Sequence, residues 1–203
     1  DSDVDLSGSK FVPIPTFGGT FEGQGHTVSG LELSGDASHM GLFRYVQAVG
    51  TVRDLKVTGN IDAAGTLNEI GAIVGTNYGT ISGCSFSGTI SGQNNVGGIA
   101  GAMAIEYELD PEGDQKESSS VFDRVYETKA VVQHCVNRGS ISGKKDCIGG
   151  IVGEMDLGIV LSCEAYGSAR SETGSYVGGI AGLSSAGIRS SWAKLTLSGK
   201  SSV

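Results

Sequence analysis

The sequence predicts an all-β protein in which short parallel strands wind into a stack of coils, a single-stranded β-solenoid. Three observations predict this fold: a repeated opening motif, side-chain alternation with a period of two, and 34 glycines among 203 residues. The clearest copy of the repeat contains Gly71-Ala72-Ile73-Val74-Gly75, Gly79-Thr80-Ile81-Ser82-Gly83-Cys84 and Thr89-Ile90-Ser91-Gly92. Three such segments per copy predict three short strands per coil.

The openings of the other copies define the length of the repeat. They stand at Gly97, Gly149 and Gly178, with a looser copy at Gly41, so the openings from Gly71 onward are 26, 52 and 29 residues apart. Repeats of this size are typical of solenoids. The copy of 52 residues is twice as long as its predecessor, which predicts one long insertion.

Local alternation distinguishes strands from helices in this chain. In Thr80-Ile81-Ser82 and Thr89-Ile90-Ser91 a β-branched apolar residue stands between small polar ones, which is the period of a strand. Glycine in a helix interior costs about 1 kcal/mol relative to alanine. The many glycines therefore favour sharp bends between short strands.

Alignment of the copies by their openings predicts three columns of inward side chains. The first column contains Leu31, Leu55, Cys84, Cys135, Cys163 and Ser191. The second stands three residues earlier and contains Val28, Val52, Ile81, Val132, Val160 and Ile188. The third lies in the opening strand and contains Phe43, Ile73, Ile99, Ile151 and Ile180. Because paired strands lie about 4.8 Å apart, each side chain should rest on its counterpart in the next coil.

The chain is expected to form one repeat domain over residues 1–203. Residues 1–40 supply a lead-in and a first partial coil, and residues 41–203 supply the repeats. The chain begins without Met and ends inside a copy, so we expect an excerpt of a longer protein with further coils or domains.

Composition argues against several classes of function. The formal net charge is −8 and no Lys/Arg stripe is present, so nucleic acid is not expected as a partner. No run of 18 apolar residues is present, so membrane insertion is not expected. Cys84, Cys135 and Cys163 share one register without CxxC or Cys/His spacing, which predicts buried free thiols and no metal site. Cys147 lies outside that column and is expected to be the more reactive thiol.

Residues 102–129 break the repeat and are predicted to form an inserted loop or hairpin between the first and second strands of the long copy. Insertions on a regular scaffold are common contact sites. The candidate contact residues there, together with an outward Trp192, are Glu106, Tyr107, Glu108, Asp110, Glu112, Asp114 and Glu117. The last four have an oxygen-ligand spacing that Ca²⁺ accepts, but the segment lacks the glycine position of an EF-hand loop. The alternative is a solvated acidic loop, and no other cofactor is expected.

The remaining charges and aromatic rings do not predict a catalytic site. The local charge groupings are Arg53 with Asp54, Arg138 with Lys144, and Glu154 with Asp156. None of them aligns with another into a groove of carboxylate pairs, which glycoside hydrolysis requires. The rings that could stack on sugars fall on different coils and are expected to be scattered: Tyr78, Tyr166, Tyr176 and Trp192.

The copy that begins at Gly71 resembles the GLUG-motif repeat of bacterial surface proteins, and residues 11–31 resemble the lead-in that often precedes it. The resemblance implies a right-handed parallel β-helix, secreted and often tethered to a cell wall. Such repeats occur in adhesin-like proteins and in the non-catalytic region of zinc-type immunoglobulin A peptidases. The HExxH motif of those peptidases has no counterpart, because none of His26, His39 and His134 is followed by Glu. Ser191 and Leu195 depart from the repeat, which usually has Cys and Gly at these positions.

We therefore expect a secreted or cell-surface module for adhesion, binding or spacing, without catalytic activity. Its expected partner is a protein or glycan of a host or neighbouring cell. Two alternatives remain: an accessory region of a cell-surface protease, and a carbohydrate-active β-helix enzyme.

Overall fold

The computed structural model describes residues 2–35, 38–63, 68–106 and 130–203, and these residues form strands, turns and bends. Their strands pair in parallel with strands one coil away and stack into four sheets. The predicted all-β parallel solenoid is confirmed.

Four sheets, named A to D, run along the stack. Sheet A contains Val4–Asp5, Thr27–Gly35, Lys56–Ala63, Ser85–Gly92, Val136–Asn137, Ser140–Gly143, Glu164–Ser171 and Trp192–Ser198. Sheet B contains Ile14–Phe17, Phe43–Val46, Val74–Asn77, Ala100–Met103, Val152–Met155 and Ala181–Ser184. Sheet C contains Thr20–Glu22, Thr51–Arg53, Thr80–Ser82, Val131–Gln133, Ile159–Leu161 and Gly187–Arg189. Sheet D contains Asn68–Gly71, Asn94–Gly97, Ile148–Gly149 and Val177–Gly178.

Each complete coil passes through sheets B, C, A and D in that order, so it has four strands and the prediction of three was wrong. The fourth strand arises because the opening motif is not one strand but contains a corner between sheets D and B. Gly71 ends a strand of sheet D and Val74 begins the next strand of sheet B. A Cβ at Gly71 would lie 2.5 Å from the carbonyl oxygen of Val74 and 2.6 Å from the Cα of Ala100, so the corner requires glycine.

Two positive-φ kinks per coil use mostly residues other than glycine, while a third positive-φ position, inside sheet A, is occupied by Gly30, Gly59, Gly88 and Gly167. The kink between sheets C and A has one residue with positive φ in each coil: Asp54, Gly83, His134, Ser162 and Ser190. The kink at sheet D has another: His39, Glu69, Asn95, Cys147 and Tyr176. Because polar residues such as Asn and Asp tolerate the left-handed region best, these two kinks depend less on glycine than the composition suggests.

Inward side chains form continuous columns along the stack. Ile81 is fully buried and pairs in register with Val52 in one neighbouring coil and with Val132 in the other. At the corner before sheet B, the amide of Ile73 donates to the carbonyl of Ile99 at 3.1 Å, and the amide of Ile99 donates to the carbonyl of Ile151 at 2.9 Å. The amide of Ile151 donates in turn to Ile180 at 2.8 Å, so these isoleucines lie in one line.

The first coil departs from the predicted alignment. The observed register pairs are Phe21 with Val52, Val28 with Val57, Leu31 with Gly59, and Phe43 with Val74. Val28, Leu31 and Phe43 were therefore assigned to the wrong columns. The first two coils share a core of aromatic rings, with centroids of Phe17 and Phe43 5.0 Å apart and those of Phe21 and Phe43 5.7 Å apart. Phe21 and Phe43 occupy the positions that the β-branched residues Val52 and Val74 fill in the next coils.

The insertion begins later than predicted. Residues 102 and 103 belong to the sheet B strand Ala100–Met103, and the amide of Ala104 still donates to the carbonyl of Asn77 at 3.2 Å. The chain next appears in a described strand at Val131–Gln133 of sheet C. The insertion therefore lies between sheets B and C, and most of it lies outside the described residues.

Candidate functional site

The cysteine column is structural. Cys84, Cys135 and Cys163 are completely buried free thiols, and each Sγ lies 3.2–3.4 Å from the carbonyl oxygen two residues earlier. Burial raises the pKa of Cys135 well above its usual value. In the last coil the hydroxyl of Ser191 donates to the carbonyl of Arg189 at 2.9 Å, which reproduces the thiol contact. Leu55 is buried one coil before Cys84.

Cys147, predicted to be more reactive than the thiols of the column, is also buried. It is 7% exposed, at the kink of sheet D. Its pKa is raised to about 11 by desolvation and by the carboxylates of Glu154 and Asp146. Because the thiolate is the nucleophile, this environment suppresses reactivity at neutral pH.

Glu106 is the only candidate contact residue of the insertion that lies among the described residues. Its carboxylate accepts a hydrogen bond from the side-chain amide of Gln47 at 3.0 Å and another from the backbone amide of Ala48 at 2.7 Å. The side chain therefore fastens the start of the insertion to a turn of an earlier coil. The other six candidates lie outside the described residues: Tyr107, Glu108, Asp110, Glu112, Asp114 and Glu117.

The outer face of sheet A carries a shallow groove, which we call the sheet A groove. Its polar lining comprises Thr27, Lys56, Thr58, Ser85, Ser87 and Arg138. Strand pairing places Ser85 between Lys56 of the preceding coil and Val136 of the next. The hydroxyl residues Ser85 and Ser87 therefore form the middle of the groove. Lys56 stands on one side of them and Arg138 on the other, about two strand spacings apart.

An aromatic cluster continues the sheet A groove toward the last coil. The Arg138 guanidinium lies 4.3 Å from the centroid of the Tyr166 ring, and the Trp192 ring meets the Tyr166 ring edge to face at 5.1 Å. The Tyr166 hydroxyl donates to Glu164 Oε2 at 2.8 Å, and this hydrogen bond is the main reason that the pKa of Tyr166 is raised. Trp192 pairs in register with Glu164 on the outer face and is 45% exposed, so it points outward as predicted.

A second set of rings stacks on sheet B. The Tyr45 and Tyr78 rings are parallel within 4° at 6.2 Å, and the His39 ring lies 4.6 Å from Tyr45. His39 Nδ1 is also 2.5 Å from Glu69 Oε2 and 2.9 Å from Thr76 Oγ1. The prediction of scattered rings was therefore wrong for Tyr166 and Trp192, because strand register brings these two rings from successive coils together.

The predicted charge groupings are divided among different contacts. Arg53 pairs with Glu22 of the preceding coil, with Nε 2.7 Å from Oε1, rather than with Asp54. Glu154 Oε2 accepts a hydrogen bond from Asn95 at 2.6 Å, and the pKa of Glu154 is raised by desolvation and then by Asp156. Among the described residues, no group of three or more His, Cys, Asp or Glu side chains is arranged to hold a metal ion. Within the same ranges, no helix is long and apolar enough to cross a bilayer.

The sequence does contain a signal for the groove. Arg138, Tyr166 and Lys194 are separated by one coil each, the same 28 residues that separate Cys135 from Cys163 and Cys163 from Ser191. Outward positions aligned by this period would have shown two cations and a ring in one row. The positions of the rings alone do not indicate this row.

Comparisons with known proteins agree with the fold and the repeat. Residues 66–91 match the model of the GLUG motif, a non-catalytic repeat, so the predicted resemblance is confirmed. Over 105 residues the chain is 34% identical to halomucin of Haloquadratum walsbyi (strain DSM 16790 / HBSQ001). The matched segment is 49% of this chain and 1% of halomucin. A Bacteroides ovatus crystal structure provisionally named an immunoglobulin A1 protease has the same fold, with a TM-score of 0.73 and 22% identity over 98% of this chain. The chain spans 59% of that structure.

Proposed function

We propose that the chain is a non-catalytic module displayed at a cell surface, where its coils form a rigid scaffold for contacts with a protein or glycan outside the cell. The observation that carries this proposal is the division of roles within each coil. The interior is filled by aliphatic and thiol columns, while cations and rings gather on the outer faces of sheets A and B.

The fold suits this role because the coils stack in one register. Parallel pairing continues through six strands in both sheet B and sheet C, so a side chain on one coil has a fixed position relative to the next. An outer face of this kind presents binding groups without the entropy cost of ordering a loop. Similarity to a segment of halomucin and to a structure named an immunoglobulin A1 protease supports a location outside the cell.

Location and adhesion are tested separately. An antibody against the chain should label intact cells that produce it, and external protease should remove the label; labelling only after permeabilisation would contradict surface display. Beads coated with the chain should attach to a partner cell or glycan surface more strongly than beads coated with the Ile81→Asp variant, whose stack is broken by a buried charge. Equal attachment would contradict a binding role for the folded coils.

A second candidate is the accessory region of a cell-surface protease, favoured by the fold shared with the Bacteroides ovatus structure. In that case a peptidase domain lies elsewhere in the parent protein, and the solenoid positions it or its substrate. Deletion of the solenoid from the parent should then raise KM for a protein substrate while leaving cleavage of a short peptide unchanged. An unchanged KM for both substrates would exclude this role.

A further inference from the structure

We propose that the sheet A groove and the adjoining aromatic cluster bind a carboxylated polysaccharide strand that lies along the solenoid axis. This inference rests on the proposed binding function and adds the ligand class and the surface. The surface follows one row of register positions across successive coils, from Lys56 to Trp192.

Strand register sets the length of this surface. Lys56, Ser85, Val136, Glu164 and Trp192 pair in sequence from coil to coil, each with the next. Four spacings separate the first from the last, which gives a track of about 19 Å. The side chains along this track can therefore contact several successive units of an extended polymer.

Charge selects an acidic ligand. The chain has a net charge of −8, yet Lys56, Arg138 and Lys194 lie along the track. Two carboxylates face the same region and both already accept hydrogen bonds: Glu164 from the Tyr166 hydroxyl, and Asp3 from the backbone amide of Thr27 at 2.8 Å. Asp3 also interacts electrostatically with Lys56, whereas Arg138 and Lys194 form no ion pair among the described residues, so ligand carboxylates can pair with these two cations.

Rings and hydroxyls select a sugar. The exposed Trp192 ring and the half-buried Tyr166 ring form an apolar wall at one end of the track. The faces of sugar rings carry C–H groups that stack on such walls. In the groove, Thr58, Ser85 and Ser87 present hydroxyls that both donate and accept hydrogen bonds, as sugar hydroxyls require.

The guanidinium of Arg138 is held in place for this contact. It lies over the Tyr166 ring at 4.3 Å, and the Tyr166 hydroxyl is itself held by Glu164. An arginine stacked on a ring keeps its N–H groups free at the edge, where they can form a bidentate contact with a carboxylate. The arrangement is therefore ordered before the ligand arrives.

The test measures binding of the 203-residue chain to three probes by isothermal calorimetry at low and moderate salt. The probes are polygalacturonate, the same polymer as its methyl ester, and single-stranded DNA of similar length. We expect saturable binding to polygalacturonate that weakens with salt, and at least about tenfold weaker binding to the neutral ester and to DNA. Equal binding to the ester, equal binding to DNA, or no binding to polygalacturonate would each overturn the proposal.

Variants place the ligand on the track. Arg138→Gln and Trp192→Ala should each weaken polygalacturonate binding about tenfold. The matched control is Arg170→Gln, which removes the same charge from an exposed residue of the same strand as Tyr166, about 13 Å along the strand. It should change Kd less than about twofold, and thermal unfolding must show that all variants remain folded. An equal loss in Arg170→Gln and Arg138→Gln would show nonspecific attraction and overturn the site.

The result is separable from the broader proposal. Surface labelling of intact cells and adhesion of coated beads do not depend on polygalacturonate. If those two succeed while all three probes fail, the ligand assignment is wrong and the surface module stands. If labelling fails while polygalacturonate binds as expected, the surface location is wrong and the groove stands.

Discussion

Replacement of Ile81 by alanine tests the shared interior most directly. Ile81 is 0% exposed and lies between Val52 and Val132 of the neighbouring coils. The substitution removes three carbon atoms, which at about 0.8 kcal/mol for each buried methylene gives a transfer cost of about 2.4 kcal/mol. The cavity left between three coils adds to this cost, so the free energy of unfolding should fall by about 2–5 kcal/mol.

The same column offers a matched control. Ile188 also occupies it but lies in the last described coil, where it is 41% exposed. Ile188→Ala should therefore cost only about 1 kcal/mol, because less apolar area returns to water and no closed cavity forms. Ser82→Asp changes an outward neighbour of Ile81 and should stay within about 0.5 kcal/mol.

Urea denaturation followed by circular dichroism measures all three variants. Ile81→Ala should lower the midpoint most, with the slope of the transition unchanged if the stack unfolds as one cooperative unit. A smaller slope would indicate that the stack separates into two parts at this coil. Equal losses for Ile81→Ala and Ile188→Ala would refute the argument that burial between coils determines stability.

Three further predictions concern a thiol, a carboxyl group and a glycine. Cys147, with a pKa of about 11, should react with iodoacetamide at pH 8 far more slowly in the folded chain than in urea, and mass spectrometry of the labelled peptide checks this; equal rates would contradict its burial. The pKa of Glu154 is raised on folding, so the folded state holds this proton more tightly than the unfolded state does. Stability should therefore fall as pH rises from about 4.5 through the folded pKa of Glu154. The melting temperature of Glu154→Gln should lack this decline, and parallel pH profiles for the two proteins would contradict the argument. Gly88→Ala should lower the free energy of unfolding by more than about 2 kcal/mol, because its Cβ would lie 1.9 Å from a carbonyl oxygen of the preceding coil and the residue has a φ of 150°. Gly25→Ala has open space around it and should cost only about 1 kcal/mol. Similar urea midpoints for the two variants would show that the coils can separate to admit the methyl group.

The interior could be predicted from the sequence because each coil repeats the same inward residue type. Val52, Ile81, Val132 and Val160 are all β-branched, and their shared position follows from the repeat alone. The first coil could not be placed this way. Its inward residue is Phe21, whose size matches an aromatic core and not the β-branched pattern, so the alignment shifted to Val28. Column assignment thus depends on side-chain volume remaining constant along the stack.

The outer face was harder to predict because contacts there join different residue types. Tyr166 and Trp192 are 26 positions apart in the chain, and their proximity depends on Glu164 pairing in register with Trp192. The kinks that set this register, such as Ser162 and Ser190, carry no glycine or proline signal. The sequence alone therefore indicated that Trp192 faces outward but not which ring it contacts.

Function in such a stack depends on departures from the repeat. Neighbouring coils are related by a nearly constant step, so a residue type repeated in every coil produces a uniform row with no preferred place along the axis. In sheet A the row that holds Thr58 and Ser87 in two coils holds Arg138 and Tyr166 in the next two. Returning both to serine would restore the simple repeat, and because both side chains lie on the outer face, the interior columns would be untouched. Such a variant should fold normally and lose the stretch of sheet A where the Arg138 guanidinium stacks on the Tyr166 ring.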